Sequence, residues 1–185
     1  MGTLRRYVAD HLPGRESILS VYALCVVIVY SWTLAVSFWK VPSWVYYLRV
    51  GDLLSIYAYS FLVDFIESIL LLSLMLFLSI VLPKKWWKER FVSKSTAVIS
   101  CLLGSMMVRI SAYLDPNLRE EFVFGQLKWF LSTLLIIIVA CWLFSSTPWL
   151  RRGVEMLLER LTVFLYLYLP LTAIALILVV FRFFV

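Results

Sequence analysis

Three charged residues interrupt otherwise apolar segments, and their types and spacing could do chemistry. Asp64 and Glu67 are three residues apart, so on a helix they share a face, while Arg109 lies in a separate apolar segment. A charge at the centre of a bilayer costs from about 2.5 kcal/mol upward, so such groups are hidden, paired or hydrated. The two carboxylates and the guanidinium are therefore candidates for a charged cluster inside a membrane.

Counting along the segments places two of these charges at the same depth. The second segment ends near Leu82, about 22 Å from Glu67, and the third begins at Ser95, about 21 Å from Arg109. Small residues precede Arg109 at four-residue steps, which lets helices pack closely and turns this side chain into the bundle. We predict an intramembrane ion pair or triad of Arg109 with Glu67 and Asp64.

Two interpretations of this cluster remain open. A structural cluster fixes which helices pair, because a buried charge network can specify register without adding much stability. A functional cluster lines a polar cavity open to the outside, which binds a small solute, a lipid headgroup or a proton. Hydroxyl residues in the outer half of the segments favour the cavity, although hydroxyls also pack helices together. The candidate lining residues are Tyr30, Ser60, Ser111, Ser132 and Thr133.

Enzyme chemistry has little support in the residue types. The only histidine is His11, which argues against histidine-based metal or Ser-His-Asp catalysis. Three cysteines in different segments form no CxxC pair and leave a metal undersupplied with ligands. Neither a phosphate-binding glycine loop nor GxSxG occurs. The sequence leans against an enzyme and predicts no metal and no cofactor.

Five apolar runs must position these residues. Each has about the 20 residues that a helix needs to cross a hydrocarbon layer of about 30 Å. Hydrophobic residues make up 63% of the chain and charged residues 15%, whereas soluble domains usually carry about 25% charged residues. The sequence predicts an all-α bundle of five transmembrane helices that forms a single domain over residues 1–185. The spans are 17–39, 61–82, 95–114, 127–146 and 161–180.

The basic residues predict an orientation. Eleven of the 17 fall on the side of the N-terminus, five on the other side, and Arg109 lies within a span. The positive-inside rule then places the N-terminus inside and the C-terminus outside. The net charge of +6 is therefore a signal of membrane topology and does not indicate nucleic-acid binding.

Segments beside the spans predict contacts with the membrane surface. A basic, aromatic cluster is expected to touch lipid headgroups, and residues 149–160 are expected to form an amphipathic interfacial helix. Residues 52–82 could form one long helix or break near Gly51, and Pro170 is expected to kink the fifth span. The headgroup cluster comprises Lys84, Lys85, Trp86, Trp87 and Lys88.

Short connections and the lack of a soluble domain favour a non-catalytic membrane subunit or scaffold. Such a subunit acts in a larger complex and has membrane lipids and protein partners. The alternative is an outward-facing binding or transport component built around Arg109, Glu67 and Asp64, and a third option is a membrane-embedded enzyme. Five spans do not divide into two equal inverted repeats, which weakens the case for transport by this chain alone. Compactness favours a bacterial cytoplasmic membrane.

Overall fold

The described part of the chain is helical. A computed structural model describes residues 12–83, 87, 90–113 and 122–184. Its five helices are all long and apolar enough to cross a membrane, and each overlaps one of the five predicted apolar runs. They are α1 (Arg15–Tyr47), α2 (Val50–Val81), α3 (Phe91–Tyr113), α4 (Phe122–Ser146) and α5 (Pro148–Phe184).

Two helices, α2 and α5, extend well beyond the apolar runs within them. The helix α2 is unbroken over 32 residues, so the chain does not break at Gly51. The predicted interfacial helix 149–160 and the fifth span are one continuous helix of 37 residues. One inward face runs through the middle of α5, because its buried positions follow at steps of seven, three or four residues from Leu158 through Leu165 and Thr172 to Ala175. At 1.5 Å per residue α5 is about 55 Å long, well beyond the hydrocarbon layer.

The helix α1 lies at the centre of the bundle. It packs against α2, α3 and α5, whereas α4 packs mainly against α3 and lies at the periphery. The helices α3 and α4 are antiparallel, because Arg90 near the start of α3 reaches Ser145 near the end of α4. At the other end of this pair, the guanidinium of Arg109 lies beside Gly125.

The first turns of α1, α3 and α5 meet at one end of the bundle. Ser17, Ser93 and Arg151, from these three turns, line a common cavity. We call this the basic end, since Arg90 and Arg151 lie there. At the opposite end, Arg182 near the end of α5 pairs with Asp52 near the start of α2, at 3.3 Å.

The apolar core near the basic end includes Trp87. Its side chain is 7% exposed and belongs to one cluster with Val21, Phe91 and Leu158. This corrects the expectation that Trp87 touches lipid headgroups, because the large indole ring is packed between helices. The other members of the predicted headgroup cluster, namely Lys84, Lys85, Trp86 and Lys88, lie outside the described residues.

Adjacent leucines on α5 provide a test of this packing. Leu158 is fully buried and Leu157 is 55% exposed. We expect Leu158→Ala to lower the free energy of unfolding by about 2–5 kcal/mol, because truncation leaves a cavity between helices. Leu157→Ala should change it by less than about 0.5 kcal/mol. Reversible unfolding in mixed micelles measures both values, and equal effects would contradict the inward placement of Leu158.

Candidate functional site

A polar junction lies where α1, α2 and α5 meet. Its side chains are Tyr30 and Thr33 from α1, Asp64 from α2 and Thr172 from α5, and hydrogen bonds connect them across the helices. Tyr30, Asp64 and Thr172 are 1%, 4% and 5% exposed. The junction therefore places a carboxylate and three hydroxyls in the middle of an apolar bundle.

Asp64 depends on a single donor from the neighbouring helix. The Thr33 hydroxyl donates to Oδ1 of Asp64 at 2.7 Å. Within the described part of the chain, the other carboxylate oxygen, Oδ2, is buried and has no hydrogen-bond partner. Burying a polar group without hydrogen bonds costs free energy, so the carboxyl group of Asp64 depends heavily on this one. This bond ties α1 to α2 and holds Asp64 in one position.

Tyr30 joins all three helices through its hydroxyl. The hydroxyl oxygen lies 2.6 Å from Oγ1 of Thr172 and can donate to the Phe61 carbonyl at 3.2 Å. Thr172 also lies within 2.8 Å of the Tyr168 carbonyl, to which it can donate. These three contacts share only two hydroxyl protons. Either Tyr30 donates to Phe61 and Thr172 donates to Tyr30, or Tyr30 donates to Thr172 and Thr172 donates to Tyr168, and neither arrangement requires a helix to move.

Aromatic rings hold Tyr30 in place. Its ring centroid lies 5.7 Å from that of Phe61 and 4.8 Å from that of Tyr168, on the two helices that also share its hydroxyl. These separations lie within the range of favourable aromatic pairs. Ring packing and hydrogen bonding therefore fix the same three-helix contact.

The three predicted charges are not brought together. Asp64 is buried in the junction, but Glu67 is exposed on the outer face of α2. Three residues turn a helix by about 300°, so the two side chains lie about 60° apart, and the edge of the packed face runs between them. The guanidinium of Arg109 lies beside α4, with Nη2 3.4 Å from the position a Cβ at Gly125 would occupy.

Two ion pairs of described residues lie near the ends of the bundle. They join Arg151 to Glu155 at 2.9 Å and Arg182 to Asp52 at 3.3 Å. The helices that carry the predicted triad are not close neighbours, because α2 packs against α1 and α5, whereas α3 packs mainly against α4 and α1. The sequence count matched the depths of the charges, but depth does not determine which helices are neighbours.

The predicted cavity residues are also dispersed. Tyr30 belongs to the junction, Thr133 is buried on α4, and Ser60 is partly buried. Ser111 and Ser132 are exposed, and each hydroxyl donates to a carbonyl of its own helix at 2.9 and 2.8 Å. Such bonds satisfy a hydroxyl locally and need no cavity.

Cavities lie at both ends of the bundle. One of about 230 Å³ lies between the start of α2 and the end of α5, beside Ser55 and Arg182. The other, of about 120 Å³, lies at the basic end. Neither is lined by the residues that the sequence selected.

Sequence reasoning missed two features of the junction. One is Thr172, and the other is the hydrogen bond from Thr33 to Asp64. The heptad-like inward face of α5 could have indicated Thr172, since it continues the buried series through Leu165 and Tyr168.

Among the described residues, no group of three or more His, Cys, Asp or Glu side chains could hold a metal ion. Comparison of the chain with protein-family models, curated protein sequences and solved structures finds no match.

Replacing the donor of Asp64 tests the junction. Thr33→Val keeps the shape of the side chain but removes its hydroxyl, which leaves the buried carboxylate without this hydrogen bond. We expect a loss of about 1–3 kcal/mol in the free energy of unfolding. Thr162→Val is the matched control, because that hydroxyl donates only to the Glu159 carbonyl of its own helix.

The double variant Thr33→Val/Asp64→Asn completes a double-mutant cycle. Coupling of at least about 0.5 kcal/mol is expected, since both changes affect one hydrogen bond. Additive effects, or equal losses in Thr33→Val and Thr162→Val, would show that the bond does not stabilise the bundle.

Proposed function

We propose that the protein is a non-catalytic membrane subunit that works in complex with another membrane protein. The observation that carries this proposal is the exposed carboxylate of Glu67 on the outer face of α2. Its surroundings and its depth both argue that this side chain contacts protein in the assembled state.

Glu67 lies within the hydrocarbon-spanning part of α2. It precedes the end of the helix at Val81 by fourteen residues, or about 21 Å. Apolar side chains exposed on the same face surround it: Val63, Ile66 and Leu70 are 52%, 57% and 62% exposed. A carboxylate among lipid tails is costly, and such groups normally face protein or a hydrated cavity. A partner that covers Glu67 removes this cost.

The outer face of α2 has the spacing of a helix-packing seam. Its exposed residues alternate at steps of four and three, which is the pattern with which one helix packs along another. Glu67 lies directly beside this seam. We call the seam together with Glu67 the Glu67 face; its other members are Tyr59, Val63, Ile66, Leu70, Ser73 and Phe77.

Charge complementarity defines the partner. A transmembrane helix with a lysine or arginine at the depth of Glu67 can neutralise the carboxylate, while apolar residues fill the seam. A second copy of this chain fits less well, because two-fold pairing through the same face brings two Glu67 carboxylates together. The proposed partner is therefore a different membrane protein.

The polar junction supports a structural role over catalysis or solute binding. The hydroxyls of Tyr30, Thr33 and Thr172 each bridge helices, so their hydrogen bonds are already in use. The residues selected for a solute cavity lie partly inside and partly on the outer faces of the helices. Holding α1, α2 and α5 in one arrangement keeps the Glu67 face in a fixed shape for its partner.

The positive-inside rule supplies the orientation. The described residues near the basic end include Arg15, Arg90, Arg151 and Arg152, so this end faces the cytoplasm and the C-terminus lies outside. The compact all-helical form favours a bacterial cytoplasmic membrane. Membrane lipids surround the remaining apolar faces.

Glu67→Gln tests the partner proposal. We expect the tagged wild-type protein, purified from its native membrane in a mild detergent, to carry a partner in stoichiometric amount. Loss of the carboxylate should lower recovery of the partner by about tenfold, equivalent to about 1.4 kcal/mol of binding free energy. The thermal unfolding temperature of the isolated chain should stay unchanged, because Glu67 is exposed.

Glu159→Gln is the control for this experiment. Glu159 is an exposed carboxylate on the amphipathic part of α5, away from the Glu67 face. Quantitative mass spectrometry compares the partner recovered with each variant. Purification without any partner, or equal recovery with Glu67→Gln and Glu159→Gln, would overturn the proposal.

Epitope tags at the two ends test the orientation separately. In spheroplasts, which keep the cytoplasmic membrane intact but lack the cell wall and outer membrane, a protease should cleave a tag after Val185 and spare a tag before Met1. Permeabilised cells should lose both tags. The reverse pattern would place the basic end outside and contradict the orientation.

A further inference from the structure

The cavity at the basic end has the features of an anion site. It has a volume of about 120 Å³ and lies among the first turns of α1, α3 and α5. Arg90 and Arg151 contribute cationic groups, and Ser17 and Ser93 contribute hydroxyls. Helix geometry, charge and an unsatisfied hydroxyl each point to the same type of ligand.

Helix geometry supplies the first argument. Ser17 is the third residue of α1 and Ser93 the third residue of α3, so both lie in first turns. The N–H groups of a first turn have no acceptor within their own helix, and the positive end of the helix dipole lies there. Two such turns at one cavity favour a negatively charged ligand.

The two arginines supply the second argument. Arg90 donates one N–H to the Ser145 carbonyl at 2.5 Å, and Arg151 donates its Nε–H to Glu155 at 2.9 Å. A guanidinium has five N–H donors, so these bonds leave donors on both side chains for a ligand. Planar guanidinium groups bind the oxygens of phosphate in a bidentate manner.

Ser93 supplies an independent third argument. Its side chain is 1% exposed, and in the described part of the chain its buried hydroxyl has no hydrogen-bond partner. A buried hydroxyl without a partner costs free energy, and a ligand oxygen that accepts a hydrogen bond from it removes that cost. Ser93 also lines the cavity.

Glu155 opposes an anion but does not cancel the site. Its carboxylate lines the cavity and is paired with Arg151. Three charged side chains line the cavity. Because Arg151 and Glu155 neutralise each other, the positive charge of Arg90 remains. Both members of the pair are about half exposed, so Glu155 can turn to solvent while Arg151 turns to a ligand.

We propose that this cavity binds a phosphate group, held by Arg90, Arg151, Ser93 and the first turn of α3. The phosphate can belong to the headgroup of an anionic lipid or to a soluble phosphate compound, and the chemistry of recognition is the same. The site uses none of the residues of the Glu67 face, so it stands whether or not the protein has a partner there.

Binding measured in two arms tests the site and identifies the source of the phosphate. Native mass spectrometry of the full chain in detergent titrates phosphatidic acid, and phosphorus NMR of the same preparation titrates inorganic phosphate. We expect Arg90→Gln and Arg151→Gln each to weaken binding by about tenfold in the arm that reports binding. Ser93→Ala should weaken it several-fold.

Glu155→Gln should instead strengthen binding, because it removes the opposing carboxylate. Arg152→Gln is the matched control, since Arg152 is exposed on the same turn of α5 and does not line the cavity. Arg90→Gln also loses the bond to Ser145, so Arg151→Gln tests the site without disturbing that contact. Thermal unfolding verifies that each variant is folded.

Each outcome decides the proposal. Binding of phosphatidic acid alone that falls in Arg151→Gln assigns a lipid headgroup, and the same fall with inorganic phosphate assigns a soluble ligand. No binding in either arm overturns the site. Equal binding by Arg151→Gln and Arg152→Gln also overturns it, because the attraction is then only that of a basic surface.

Discussion

Polar groups buried in a membrane protein must find partners within the bundle, and this constraint governs the arrangement of α1, α2 and α5. Lipid tails are as apolar as leucine, so the hydrophobic effect gives these helices little reason to associate. The hydrogen bond from Thr33 to Asp64 and the Tyr30 contacts supply that reason. They act only when three specific helices come together in one register, which apolar contacts alone specify poorly.

The peripheral position of α4 follows from the same constraint. It takes no part in the polar junction, and most of its apolar surface faces outward. Arg90 donates to the Ser145 carbonyl near one end of the α3–α4 pair, and the Arg109 guanidinium lies beside Gly125 near the other. The helix α4 is therefore attached to the bundle mainly through α3, and not through the contacts that hold α1, α2 and α5 together.

The number of helices could be predicted because a membrane span leaves a long apolar run in the sequence, and each of the five runs overlaps one of the five helices. The neighbours of each side chain could not be predicted, because the depth of a residue along its helix does not say which way the side chain points around the helix axis. Asp64 and Glu67 are three residues apart, yet one is buried and the other exposed. Trp87 likewise has the composition of an interfacial anchor but packs in the core. Tyr30 was selected for its polarity, whereas its partner Thr172 needed knowledge of which face of α5 turns inward.

The continuity of α5 links the two ends of the molecule mechanically. One helix carries Arg151 at the basic end and Arg182 at the opposite end. A rod of about 55 Å that tilts by about 5° moves its far end by roughly 5 Å. Pro170 lies between these arginines and removes a backbone hydrogen bond, so it is a weakened point at which the rod can bend. A tilt of α5 as one rigid body would therefore move both ends together, whereas a bend at Pro170 would let one end move without the other.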